Sequence, residues 1–214
     1  MELRELSLAV QKGSGKQSKQ LVKEALEQGL KPADILNNGL IAAMGEIGDK
    51  FKEGQIYVPE MLIAAKAMQA GLKVLAPSLK AEGVEPIGKA VIGTVKGDLH
   101  DIGKNLVIMM LESAGFEVID LGVDVPAEKF IQALEENPDV KIVGASALLT
   151  TTMEALKDTV KALNEYPGRD KIKVMVGGAP ITQEFADEIG ADAYTEDAAS
   201  AAQVAKKLAT SVSV

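Results

Sequence analysis

The chain has 214 residues, of which 47% are hydrophobic and 25% charged, enough to bury one large core or two small ones. It contains no cysteine, which removes disulfides, thiolate catalysis, iron–sulfur clusters and cysteine-ligated zinc together. Its net charge of −8 argues against nucleic acid as a partner, because phosphate contacts need clustered Lys and Arg in excess.

The opening residues Met1-Glu2-Leu3-Arg4-Glu5 are already charged. No apolar run approaches the roughly 20 residues that span a bilayer, so a cytoplasmic protein without a membrane partner is expected. Up to residue 80 apolar positions recur at helical spacing, with Leu40, Ala43, Met44, Ile47 and Phe51 on one face and Leu62, Ala65, Gln69, Leu72 and Ala76 on another. Pro32 and Pro59 are placed to open helices and Pro77 to close one, which gives a bundle of about four helices. Gly13-Ser14-Gly15-Lys16-Gln17-Ser18 looks like a phosphate loop, but Gln17 stands where such a loop needs Ser or Thr and no strand precedes it. It is expected to connect helices, and Lys12, Lys16, Lys19 and Lys23 to form a solvated face or a partner contact. The polar, Gly- and Pro-containing stretch 80–88 separates a first domain, 1–84, from a second, 88–214.

From Gly88 onward strands and helices alternate. Strands are predicted near 89–95, 116–121, 140–146, 172–176 and 191–194, and helices near 102–114, 127–136, 152–165, 181–189 and 197–209. In the first of these helices Ile102, Asn105, Leu106, Met109 and Ser113 share a face. The alternation predicts an α/β fold with a five-stranded parallel sheet, helices on both faces, and the flavodoxin-like, Rossmann-like strand order 2-1-3-4-5. Ligands of such sheets bind at the carboxyl ends of the strands. Three features fall there: the loop Asp98-Leu99-His100-Asp101-Ile102-Gly103, the segment Ser146-Ala147-Leu148 with Thr150 and Thr152, and the pair Gly177-Gly178. Thr150 or Thr151 suits helix capping; Ser146 precedes the cap and is explained less well by it.

His100 is the only histidine in the chain. Asp98, two residues away, can accept a hydrogen bond from one ring nitrogen, the usual way of fixing a metal-binding imidazole. One histidine and one carboxylate cannot build a zinc or iron site by themselves, so a metal at His100 would have to arrive already held by a cofactor.

Asp98-x-His100-x-x-Gly103, Ser146-x-Leu148 and Gly177-Gly178, in that order and at that spacing, resemble the cobalamin-binding signature of methionine synthase, of cobalamin-dependent mutases, and of corrinoid proteins serving methylamine and methanol methyltransferases. Phe51-Lys52-Glu53-Gly54-Gln55-Ile56-Tyr57-Val58-Pro59-Glu60-Met61 looks like the helical cap of methionine synthase and of those corrinoid proteins, so the resemblance spans nearly the whole chain. It implies bound cobalamin with His100 as lower cobalt ligand in place of the cofactor's own dimethylbenzimidazole. Asp98 would hold the other ring nitrogen, and Thr152, where methionine synthase has serine, would come next in the relay. It further implies that Ser146, Leu148 and Thr150 line the slot for the displaced nucleotide tail and that Gly177 and Gly178 let the tail pass close to the backbone. Asp101, Ile102 and Gly103 would meet the corrin at the start of a helix. Tyr57 and Met61 would cover its upper face, while Leu62, on the apolar stripe, belongs to the bundle core.

The function so implied is a corrinoid methyl carrier that moves a methyl group between a substrate-specific methyltransferase and a second methyltransferase, with a reductive activase as a further expected partner. The carrier would not turn over a donor alone, since a catalytic barrel needs about 250 residues by itself. A cobalamin-dependent sensor or regulator is the alternative; such proteins usually carry a cap tryptophan and a DNA-binding module, and this chain has no tryptophan.

Overall fold

The computed structural model describes residues 3–211. They form two compact units with the boundary between Pro86 and Ile87, residues 113–115 grouping with the first.

The first unit is helical: α1 (Leu3–Gln11), α2 (Gly15–Glu27), α3 (Pro32–Asp34), a π-helical stretch Ile35–Ile41 that runs directly into α4 (Ala42–Lys52), and α5 (Val58–Ala81). Pro32 opens α3 and Pro59 lies in the first turn of α5, where a missing N–H costs nothing. Lys12, Gly13 and Ser14 make the turn between α1 and α2, and the Ser14 hydroxyl accepts the Gln17 amide to cap α2. Leu6, Val22, Leu40, Met44, Met68 and Leu75 are buried. Glycines let the helices approach closely: a Cβ on Gly39 would stand 2.7 Å from Leu6 Cδ2.

Three sequence expectations need correction in the helical unit and in the helix after the first strand. Pro77 does not close a helix but sits inside α5, which continues to Ala81. Pro77 is on the exposed side, so the Lys73 carbonyl that loses its intrahelical donor can turn to water, while Leu75 and Leu79 stay buried beyond it. The buried stripe of α5 runs through Met61, Ala64, Ala65, Met68, Leu75 and Leu79, one residue off the predicted one, leaving Leu62 half-buried. The same slip occurs in α6 (Ile102–Ser113): Ile102 is exposed at 78% and Asn105 is exposed, while Lys104, Met110 and Leu111 are buried. Both helices are apolar on more than one face, so periodicity alone does not select the core side.

The second unit alternates β1 (Gly88–Thr94), α6, β2 (Phe116–Asp120), α7 (Ala127–Glu136), β3 (Val140–Ser146), α8 (Met153–Asn164), β4 (Lys173–Gly177), α9 (Gln183–Ile189), β5 (Ala193–Tyr194) and α10 (Ala198–Ser211). All pairings are parallel and the order is β2-β1-β3-β4-β5, as the alternation predicts. One face carries Val91, Val143, Val174 and Val176 against Phe130 and Leu134 of α7 and Leu156, Val160 and Leu163 of α8. Gly93 is required there, because a Cβ would lie 2.8 Å from the Phe130 ring. On the opposite face α10 packs on β3 and β4 through Ala198, Ala202, Ala205 and Ala209. The register aligns Thr94 of β1 with Ser146 of β3, and Ser146 with Gly177 of β4, so the three strands end level with one another. That shared edge collects the loops of interest.

Candidate functional site

Each strand of the central trio delivers one part of the site as it ends. After β1 the chain turns at Val95–Asp98, closed by the Asp98 N–H donating to the Val95 carbonyl at 3.1 Å, with Gly97 at φ +82° where such a turn requires glycine. The turn drives the Asp98 side chain inward to 0% exposure and leaves His100 at the surface, its side chain 49% exposed.

Asp98 is buried but not unpaired. Its Oδ1 accepts the His100 ring Nδ1–H at 2.7 Å and the His100 amide at 3.1 Å. Its Oδ2 accepts the Leu148 amide at 2.7 Å and the Thr152 hydroxyl at 2.8 Å. Burial opposes ionisation, yet the Leu148 amide, the His100 ring and amide and the Thr152 hydroxyl together outweigh it and hold the carboxyl well below the usual carboxylate range. An anion at Asp98 places the ring proton on Nδ1, so the Nε2 lone pair of His100 points outward. Thr152 Oγ1 also lies 2.9 Å from the Leu149 carbonyl, but it has a single proton and the charged acceptor is the stronger.

Thr94 and Asp124 escape a reading of the sequence. The Thr94 hydroxyl, 1% exposed, donates to the His100 carbonyl at 2.9 Å. Having spent its proton there, it accepts from Ser146 Oγ, also at 2.9 Å. The one polar side chain in the apolar run Ala90–Val95 is the signal that could have marked Thr94. Asp124 stands in the loop after β2, its carboxylate accepting the Gly97 amide at 2.7 Å. Lys104, buried under the start of α6, reaches Asp120 at 2.7 Å and Asn105 at 2.8 Å and ties α6 to the end of β2.

Asp98, His100, Ser146, Leu148 and Thr152 are thus joined in one hydrogen-bonded set. Asp101, Ile102 and Gly103 lie exposed beside it, and a Cβ on Gly103 would meet nothing within 4 Å. Thr150 is exposed and its hydroxyl makes no protein hydrogen bond among the described residues; Thr152, not Thr150 or Thr151, receives the Leu149 amide at the turn before α8. Gly178 has φ +130°, and a Cβ there would fall 1.8 Å from the Ala147 carbonyl, so its own backbone neighbour already dictates glycine. Gly177 has ordinary room, with the nearest atom to such a Cβ at 3.5 Å. In the helical unit Tyr57 is 69% exposed and Met61 is buried at 1%.

Four large apolar side chains remain uncovered on this edge: Leu99 at 73%, Ile102 at 78%, Leu148 at 40% and Leu149 at 41% exposure. Apolar surface gathered around one outward imidazole suits a large, flat, largely apolar ligand carrying a metal. No group of three or more His, Cys, Asp or Glu could hold a metal ion among the described residues. The residues therefore fit a metal that comes with its own macrocycle and takes one protein nitrogen.

Comparison with known proteins agrees with that chemistry. B12 binding domains match the chain over residues 88–203 and over residues 2–76. The dimethylamine corrinoid protein 1 of Methanosarcina mazei is 47% identical over 187 residues, 86% of each chain. The trimethylamine corrinoid protein of Methanosarcina barkeri is 43% identical over 183 residues, 85% of this chain and 84% of its own. In the solved methanol:cobalamin methyltransferase complex of Methanosarcina barkeri, a chain 30% identical superposes with a TM-score of 0.83 over 97% of this chain and 79% of that one. The protein belongs to the B12-binding corrinoid proteins, with cobalamin or a related corrinoid as its cofactor.

Proposed function

We propose that the chain is the methyl-carrying subunit of a methylamine- or methanol-type methyltransferase system. It would bind the corrinoid with His100 Nε2 as the lower cobalt ligand and the nucleotide tail in the sheet domain. The carrying observation is the outward Nε2 on a ring whose Nδ1 is held at 2.7 Å by a buried anion. When bound, the corrinoid supplies a cobalt that takes up and gives off a methyl group.

Every other role falls to the chain. Asp98 orients the ring, and the Leu148 amide and Thr152 hydroxyl keep Asp98 ionised. Because Asp98 stays charged, an imidazole released from the metal has a partner on which to rest. Ser146, Leu148 and Thr150 are assigned to the nucleotide tail, together with the Gly177-Gly178 turn. Ile102 and Gly103, with Asp101 beside them, are assigned to the underside of the corrin. Tyr57, exposed on the helical unit, is the favoured residue for the upper face; Met61, buried, is the weaker assignment.

Among the described residues the site has no second cluster of acid and base groups to activate a donor, so donor selection is assigned to a separate methyltransferase. A second methyltransferase would take the methyl group onward, and a reductive activase would restore the carrier. The test is a reconstituted assay with dimethylamine, trimethylamine or methanol as donor and a thiol as acceptor. The corrinoid-loaded chain alone should transfer nothing beyond free cobalamin, and addition of a cognate donor methyltransferase and a thiol methyltransferase should start turnover. Turnover by the loaded chain alone would overturn the carrier assignment.

A further inference from the structure

The proposed ligation rests on a turn, and a residue from a different loop holds that turn. Asp124 is the only non-glycine residue with positive φ among the described residues, at +54°. Backbone in this region is unfavourable for a side-chain-bearing residue and persists where neighbouring contacts enforce it. Here two contacts do so, and both land on the His100 loop. The Asp124 carboxylate accepts the Gly97 amide at 2.7 Å, and the Asp124 amide donates to the Asp98 carbonyl at 2.9 Å. The Lys96–Gly97 and Asp98–Leu99 peptide groups, which bracket the Gly97–Asp98 peptide, are therefore both held by one residue.

The surrounding pairing shows why a side chain is needed. Segments 94–95 and 122–125 still pair as strands: Thr94 N–H bonds to the Gly122 carbonyl, Val125 N–H to the Thr94 carbonyl, and Val95 bridges Val125. At Lys96-Gly97 the first segment leaves the ladder to turn, which orphans the Gly97 N–H. The carboxylate of Asp124 supplies the acceptor that the departing strand no longer finds.

We infer that Asp124 is a positioning residue for the His100 site: it fixes the backbone on both sides of Asp98, and so sets how firmly the imidazole is held with Nε2 outward. This rests on the ligation proposed above. The hydrogen bonds of Asp124 go to the turn rather than to the imidazole, so it acts on the ring through the turn.

The experiment separates this role from general stability by the choice of variants. Asp124→Asn retains an acceptor oxygen and tolerates positive φ; Asp124→Gly removes the acceptor but adopts φ +54° without strain, so the fold should survive. As His100 is the sole histidine, nitrogen-15 histidine labelling gives one imidazole spectrum, read on the full chain without corrinoid at alkaline pH. The parent and Asp124→Asn should show one tautomer, protonated at Nδ1. Asp124→Gly, with a melting temperature near the parent's, should move toward the averaged shifts of free histidine. In the corrinoid-loaded chain, the affinity of the imidazole for cobalt should fall about tenfold in Asp124→Gly and recover in Asp124→Asn. A single Nδ1–H tautomer unchanged in Asp124→Gly, or an averaged ring already in the parent, overturns the inference. Failure of the loaded parent to show any nitrogen on cobalt overturns the ligation itself, and the corrinoid-free spectra still decide whether Asp124 holds the ring.

Discussion

Asp98 carries the largest local free-energy stake, because four donors converge on a carboxylate with no access to water. Asp98→Asn preserves shape but turns an acceptor into a donor. With its oxygen kept toward His100, the amide nitrogen faces the Leu148 N–H, donor against donor. Such a mismatch in a buried site costs about 2–3 kcal/mol. The pH dependence follows from the depressed folded-state pKa. The stabilisation from ionised Asp98 is fully present above the ordinary carboxylate value of about 3.9, and is lost as pH falls below it toward the folded value. Urea unfolding should therefore show a constant parent–variant gap from neutral pH down to about 5, narrowing only in stronger acid. A gap that stays constant down to pH near 2, or that closes already above pH 5, would mean that Asp98 is not held as an anion.

At the level of elements, the legible parts of the sequence were those with a strong period or a fixed chemical motif. Short apolar runs with Val or Ile marked β1 to β4, as parallel strands buried by helices encode little else, while β5, Ala193–Tyr194, has no β-branched residue and followed from the alternation of strands with helices. The Asp98, His100 and Thr152 cluster was legible through its motif, although only the fold brings residues 98 and 152 to 2.8 Å. Thr94 and Asp124 were not, since each acts through hydrogen bonds to backbone groups of another segment whose position depends on the strand register. The face of α5 was misread for a different reason: alanine and leucine on several sides blur the period, and proline looked like a terminator. That misreading yields a prediction. Pro77→Ala should restore a donor to the Lys73 carbonyl on an exposed helical turn and stabilise the protein by about 1–2 kcal/mol, part of the roughly 3 kcal/mol that proline costs in a helix interior. A lowered urea midpoint would show that proline at position 77 is itself needed.

Across the whole molecule the two units divide the work proposed for them: a helical unit that offers Tyr57, and a sheet unit that offers His100 on a mount of hydrogen bonds. No helix among the described residues is long and apolar enough to cross a membrane. The proposed carrier role, with a donor methyltransferase and an onward methyltransferase as its partners, depends on how His100 meets the corrinoid. Electron paramagnetic resonance of the cobalt(II) form of the loaded protein reads this directly, because a coordinated nitrogen splits the cobalt signal. The account predicts a triplet pattern in the parent that becomes a doublet when the sole histidine carries nitrogen-15, and that disappears in His100→Gly. A triplet that survives either change would place some other nitrogen on the cobalt and contradict the assignment of this loop.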